Sequence, residues 1–251
     1  MRILCTNDDG YMAKGLNVLA RAASELGEVS VVAPDREQSA TSHSLTLHHP
    51  LRARRSSDGS HVVDGTPTDC VILAVGELLA HRPDVVLSGI NHGPNMGEDV
   101  LYSGTVAAAM EATVLGIPSI ALSHCGGWIA PEEIEGWEPL ITSLLRDLIR
   151  TDFPKETLLS VNLPPVPPAE VQGVRVTSLG KRRYSDSLTR AQDPSGKEYF
   201  WIGGGTTDWR GADDSDFRAV DEGYISVTPL HLDLTNYKLL AAVREWDIQL
   251  R

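Results

Sequence analysis

Two carboxylates stand side by side near the start of the chain, in Ile3-Leu4-Cys5-Thr6-Asn7-Asp8-Asp9-Gly10. Adjacent acids repel, so such a pair either raises one pKa or holds a cation between its members. Thr6 and Asn7 add neutral oxygens, while the nearest histidine, His43, and the next cysteine, Cys70, lie well down the chain. Oxygen-only donors favour a hard divalent ion, magnesium or manganese, over zinc. The competing reading is a turn that closes a strand, since Asp-Gly is a common turn pair.

Three further polar segments bear on that choice. The loop Pro34 to Ser44 is rich in hydroxyls, and Ser39 and its neighbours offer a hydroxyl to a metal or amides to a phosphate. Ser88 to Asp99 carries glycines at 89, 93 and 97 with Asn91 and Asn95 between and beside them, a costly composition unless a ligand is approached closely. Tyr102-Ser103-Gly104-Thr105 leads into Val106-Ala107-Ala108-Ala109-Met110-Glu111-Ala112, which places hydroxyls and unpaired amides at a helix start, where an anion is favoured. Ser103 or Thr105 as a simple N-cap is the plainer alternative.

The elements that would position these groups read as an open α/β sheet. Ile3 to Thr6 and Val29 to Ala33 are buried strands around a helix over Ala13 to Gly27, so the chain opens as strand, helix, strand with a parallel crossover. Such sheets bind ligands at the carboxyl ends of their strands, the rim shared by Asp8, Asp9 and the Ser39 loop. No GxGxxG follows the first strand, and Leu16 occupies the lysine place of the GxxxxG pair Gly10 and Gly15, so neither a dinucleotide fingerprint nor a P-loop is present.

Leu45 to Leu51 and His61 to Asp64 look extended around a turn at Ser56 to Ser60. Thr68 reads as the N-cap of a helix whose stripe is Val71, Ile72, Val75, Leu78 and Leu79. Strands follow at Asp84 to Ser88, Ile117 to Leu122 and Leu158 to Leu163, with one long amphipathic helix over Pro131 to Arg150. Asn162 is a weaker rim candidate. Pro164-Pro165-Val166-Pro167-Pro168 marks the clearest boundary, dividing a Rossmann-like core (1–168) from a C-terminal part (169–251) that partly completes it. That part has strands at Val171 to Leu179 and Glu198 to Ile202, a protruding hairpin or small sheet with the basic run Lys181-Arg182-Arg183, a turn and strand over Asp221 to Leu230, and helical spacing within Leu234 to Trp246. The basic run faces a phosphate, a partner subunit or only solvent.

Composition narrows the class. A chain of 251 residues with 41% hydrophobic content can bury a substantial core. A net charge of -12 argues against stable nucleic-acid binding or attachment to a membrane surface. The three cysteines lack a CxxC pair, Cys5 reads as a core residue, and no apolar run approaches the ~18 residues of a membrane span. A strand beginning at the first residues leaves no room for a signal peptide, and the expected location is cytoplasmic.

The strings Thr6 to Gly10, Ala33 to Ser39, Ser88 to Asn95 and Tyr102 to Glu111, with Ser226-Val227-Thr228-Pro229-Leu230 and Asp233-Leu234-Thr235 later, resemble the stationary-phase survival protein SurE family over nearly the whole chain. The resemblance implies a Rossmann-like, metal-dependent phosphatase of nucleoside 5′- and 3′-monophosphates, acting in some members on short polyphosphate. It implies one magnesium or manganese ion per subunit, bound by Asp8, Asp9, Ser39 and Asn95, with Asp8 and Asp9 catalytic and Asn91, Ser103, Gly104 and Thr105 lining the phosphate site. It further implies a homodimer or homotetramer built through the C-terminal region. One departure stands out, Ala40 in place of the glycine common after the Ser39 position. Ala40 is a further phosphate-binding candidate through its amide; alanine there is harmless at ordinary backbone angles and strained at positive φ. A nucleotide-binding regulator without chemistry, and a structural protein with incidental polar loops, are the rival readings.

Overall fold

The computed structural model describes residues 1–126, 131–150, 153–185, 188–202, 206–246 and 248. The chain opens with β1 (Arg2–Thr6), α1 (Lys14–Ser24) and β2 (Glu28–Pro34), the strand-helix-strand unit the apolar spacing predicts. Next come β3 (Ala53–Arg55), β4 (His61–Val63), α2 (Pro67–Leu73), β5 (Val85–His92), α3 (Gly104–Val114) and β6 (Ser119–His124). They are followed by α4 (Pro131–Glu135), α5 (Glu138–Ile149), β7 (Thr157–Leu163) and β8 (Val174–Val176). The remainder is β9 (Lys181–Ser185), β10 (Leu188–Gln192), β11 (Glu198–Ile202), β12 (Thr206–Arg210), α6 (Asp216–Asp221), β13 (Ile225–His231) and α7 (Tyr237–Arg244).

Nine strands form one sheet in the order β3-β4-β2-β1-β5-β6-β7-β13-β8. The run from β4 to β7 is parallel, as crossover helices require, and β13 enters antiparallel to β7. One face buries α1 and α5 through Leu16, Leu19, Ile141 and Leu145, and the other buries α2 and α3 through Cys70, Val71, Ala108 and Ala112. Cys5 lies in this core, and burial pushes its thiol up to about 12, which makes it inert at neutral pH. No described helix is long and apolar enough to cross a membrane.

Local chemistry moves several boundaries. The α2 N-cap is Thr66, not Thr68: Thr66 Oγ1 accepts from Asp69 N at 3.1 Å, Asp69 Oδ2 accepts from Thr66 N at 2.8 Å, and Pro67 fills the first helical position. That reciprocal box satisfies two helix-end donors at once and outcompetes Thr68. Residues 45–51 carry no strand, because Thr46 N donates to Asp69 Oδ1 and Arg52 N to Asp64 Oδ1, so side chains take the place of a ladder. The helix expected over Pro131 to Arg150 is two helices, broken at Gly136 and Trp137. Pro139 in the first turn of α5 cannot donate back to a preceding turn. The third strand runs on to His92, carrying Asn91 on its end rather than in the loop beyond.

The C-terminal part contributes β13 and β8 to the main sheet and builds a two-stranded arm from it. β9 pairs with β12 at the root, and β10 pairs with β11 farther out, both antiparallel. Strand β12 and helix α6 have no counterpart in the sequence pattern. Of the basic run, the side chains of Arg183 and the neighbouring Tyr184 lie outside the described residues.

Candidate active site

Strand β1 ends at Thr6 and delivers Asp8, 3% exposed, to the rim. Thr105 Oγ1 donates to Asp8 Oδ1, so the buried threonine of α3 serves the carboxylate directly. Gly104 lies so close that a Cβ there would fall 2.9 Å from Asp8 Oδ2, which no other residue could satisfy. Asp8 therefore rests against the start of α3, where the backbone dipole favours negative charge. Asp9 Oδ2 accepts from the His92 amide at 3.3 Å, which ties the acid pair to the end of β5.

Both acids are held well above the ordinary carboxylate range. Burial pushes Asp8 up to about 6, against the Thr105 hydrogen bond that lowers it, and the Asp9 charge raises it further. Burial pushes Asp9 to about 6 as well, opposed by the His92 amide and assisted by Glu37. Among the described residues, no Lys or Arg is ion-paired with either acid.

Ser39 and the two asparagines present oxygen in the same way. Ser39 Oγ donates to Glu37 Oε1 at 2.7 Å, so its hydrogen is used and its lone pairs remain. Asn95 Nδ2 donates to Ser123 Oγ at 2.8 Å, and its backbone exchanges hydrogen bonds with the Asn162 carboxamide at 3.0 and 3.1 Å. Asn91 Nδ2 donates to Gly93 O at 3.0 Å. In each carboxamide the nitrogen is engaged and the oxygen is the donor left over for a ligand. Asn162, a weaker candidate from sequence, fastens the Asn95 backbone and is not among the described residues lining the rim cavity.

A cavity of about 600 Å³ opens over these groups and brings together Asp8, Ser39, Ala40, Asn91, Asn95 and Ser103. Ser103 caps α3 by accepting from Val106 N at 3.0 Å, which leaves its hydroxyl hydrogen for the cavity. Ala40 adopts φ +58° and Ser42 φ +55°, so the position after Ser39 does require the left-handed region that glycine tolerates best. The loop is nonetheless stitched in place, Ser42 Oγ donating to Leu101 O at 2.6 Å and Ser42 N to Tyr102 O at 3.1 Å.

Several residues at the site carry no signal in the sequence beyond their type. Glu37 orients Ser39, Tyr102 and His92 line the cavity, and Arg182 and Ile202 enter it from the arm. The basic run was the only hint of Arg182. Burial keeps the His92 imidazole below the ordinary histidine range, although the Asp8 and Glu37 charges pull the other way. Burial likewise pushes His124, behind Asn95 on β6, down to about 4.

A cation at this rim would rest on two carboxylates and neutral oxygens. Among the described residues no cluster of three or more His, Cys, Asp or Glu side chains could hold a metal. The hard-oxygen character of Asp8, Asp9, Ser39 and the asparagines, with buried Asp8 and half-buried Asp9 ion-paired to no Lys or Arg among the described residues, fits a magnesium- or manganese-sized ion.

Fold and site together define an open, mostly parallel α/β protein with an acid pair and a helix start at the rim of its sheet. The family model described as "Survival protein SurE" matches residues 3–186. A relative from Gemmatimonas aurantiaca, named 5′-nucleotidase SurE, is 62% identical over 98% of both chains. One of the same name from Geobacter sulfurreducens is 48% identical over 99% of this chain and 94% of its own. The crystal structure of the SurE protein from Aquifex aeolicus superposes with a TM-score of 0.85 at 42% identity, covering 97% of this chain and 98% of that one. The chain belongs to the SurE family.

Proposed function

We propose that the chain is a divalent-metal-dependent phosphomonoesterase that removes phosphate from nucleoside 5′- and 3′-monophosphates, with short polyphosphate as a secondary substrate. The relatives named 5′-nucleotidase support the substrate class. The observation that carries the chemistry is Asp8, buried against the start of α3 beside Asp9, with no Lys or Arg paired to either acid among the described residues.

Asp8, Asp9 and Ser39 would hold the ion together with an asparagine. When bound, the ion polarises a phosphoryl oxygen and lowers the pKa of a bound water. Asn95 is the asparagine the family resemblance implies, and Asn91 competes for the role. Asn91 adjoins the His92 amide that touches Asp9, whereas Asn95 is fastened over β6 and β7 by Ser123 and Asn162. Thr105 fixes the rotamer of Asp8, and Glu37 turns the Ser39 lone pairs outward. The Ser103 hydroxyl and the amides of Gly104 and Thr105, which lack intrahelical acceptors, receive the phosphoryl oxygens and stabilise charge as the ester bond breaks.

The exposed apolar residues of the arm and of α7, including Trp201, Ile202 and Leu239, support assembly of copies through the C-terminal region. Phosphate release from adenosine 5′-monophosphate, with and without manganese and after chelation, tests the reading. Activity that needs the ion supports it, and turnover unchanged by exhaustive chelation contradicts it.

A further inference from the structure

Beyond the proposed ion and the start of α3, a phosphate dianion is favoured by fixed positive charge, and the rim itself supplies acids and neutral groups. Among the described residues lining it, the one Lys or Arg is Arg182. It arrives from β9 at the root of the arm, far along the chain from the other groups.

Its neighbours hold it on several sides. The guanidinium is ion-paired with Asp99 and lies 5.3 Å from the ring centroid of Trp209, which stacks on Phe217 at 5.7 Å. Arg182 N donates to Glu98 Oε2 at 2.6 Å. Asp216, fully buried, accepts from Gly180 N at 2.9 Å through one oxygen and from Gly97 N at 2.8 Å through the other. That single carboxylate thus clamps the backbone two residues before Arg182 to the backbone two residues before Asp99. The approach is tight, since a Cβ on Gly97 (φ +54°) would fall 2.8 Å from Gly180 O.

A guanidinium presents its N–H donors in a rigid planar fork, a geometry that suits a phosphoryl group as it does the Asp99 carboxylate. The Asp99 carbonyl accepts from Ser103 N at 3.1 Å, which sets the pair beside the first residue before α3. Both members of the pair line the cavity, and the Arg182 side chain is the more exposed of the two, at 23% against 10% for Asp99.

We infer that Arg182 is a substrate-binding residue, donating to a phosphoryl oxygen of the monophosphate seated at the start of α3. The inference rests on the phosphomonoesterase reading. It makes the root of the arm part of the substrate site, in addition to any part it plays in assembly. Asp99 and Trp209 act through Arg182 as positioning residues.

The test is inhibition of nucleoside monophosphate hydrolysis by inorganic phosphate, together with the oligomer mass. Arg182→Gln should raise KM and the phosphate inhibition constant roughly tenfold to a hundredfold, as loss of a charge-assisted contact does, with the mass unchanged. A fall in kcat with the phosphate inhibition constant at its wild-type value would show a packing role and overturn the inference. Because the variant could fail to fold, the wild-type protein supplies a second measurement. Saturating phosphate should slow phenylglyoxal modification of Arg182 but leave exposed Arg146 unaffected. Equal rates at Arg182 with and without phosphate overturn the inference. A wild-type protein that releases no phosphate from any monophosphate overturns the hydrolase reading itself, a result separable from both of these.

Discussion

At the rim, Asp8 and Asn95 are polar groups taken almost wholly out of water, each fixed by named partners; on the arm, Phe200, Trp201 and Ile202 are apolar groups left in it. Both regions depart from the ordinary partition of residue types, in opposite directions. A buried acid such as Asp8, with no Lys or Arg paired to it among the described residues, is unfavourable as an anion, which is the ground of the proposal that the rim takes a cation. Exposed aromatics are unfavourable until another surface covers them, which is the ground of the proposal that copies assemble through the arm. Arg182 belongs to both, rooted in the arm and opening into the rim.

The contrast can be tested by damaging one region at a time. Asp8→Asn should lower phosphate release by about two orders of magnitude or more while circular dichroism and oligomer mass stay unchanged, because the isostere keeps the Thr105 contact and removes the charge. Loss of assembly in that variant would mean the regions are not separable. Next in size, Asn91→Ala should weaken manganese binding about tenfold in calorimetry, with a smaller effect from Asn95→Ala. The reverse order would return the metal role to Asn95. Phe200→Ser with Trp201→Ser should shift the sedimentation mass toward the monomer and leave manganese affinity within about twofold. An unchanged mass would remove the assembly role from the arm.

Acidity offers a gentler probe. Burial holds Asp8 and Asp9 up to about 6, above the ordinary 3.8. Between those values the folded state holds more protons than the unfolded chain, so these two groups destabilise the fold as pH rises through the window and do so fully above about 6. His124, held down to about 4, contributes with the opposite sign. The difference made by the ion isolates the acids: the gain in melting temperature on adding manganese should grow as pH rises through about 6 and then level off. A gain independent of pH would place the ion elsewhere. The smallest expected effect is Ala40→Gly, which should raise the urea midpoint by an amount equivalent to less than about 1 kcal/mol, the left-handed strain relieved being partly offset by glycine entropy. A lower midpoint would show that Ala40 is unstrained.

Much of the core was legible because its signals are local. Apolar runs ending in Asp8 or Ser88 read as buried parallel strands, and hydroxyls before an alanine-rich stretch read as the start of α3. Thr66 is the better cap on the sequence itself, since Asp69 stands three residues on and Pro67 fills the first helical position, whereas Thr68 has Val71 at that spacing and nothing to reach back. The break between α4 and α5 was hidden by an apolar stripe that continues across Trp137, a residue buried against His124 with ring centroids 5.2 Å apart. Arg182 and Asp99 are 83 positions apart, and no periodicity joins them. Its presence in the cavity depends on how Asp216 seats the arm, which is tertiary information.

The position of β13 bears on how the chain comes off the ribosome. Residues 225–231 fill the outer flank of β7, yet they are made more than sixty residues after it. Throughout that interval β7 presents unpaired backbone to whatever is nearby, a template for misassociation with a neighbouring nascent chain. Truncations or stalls between β7 and β13 should therefore yield insoluble material even though every residue of the acid pair and its cradle has already been synthesised.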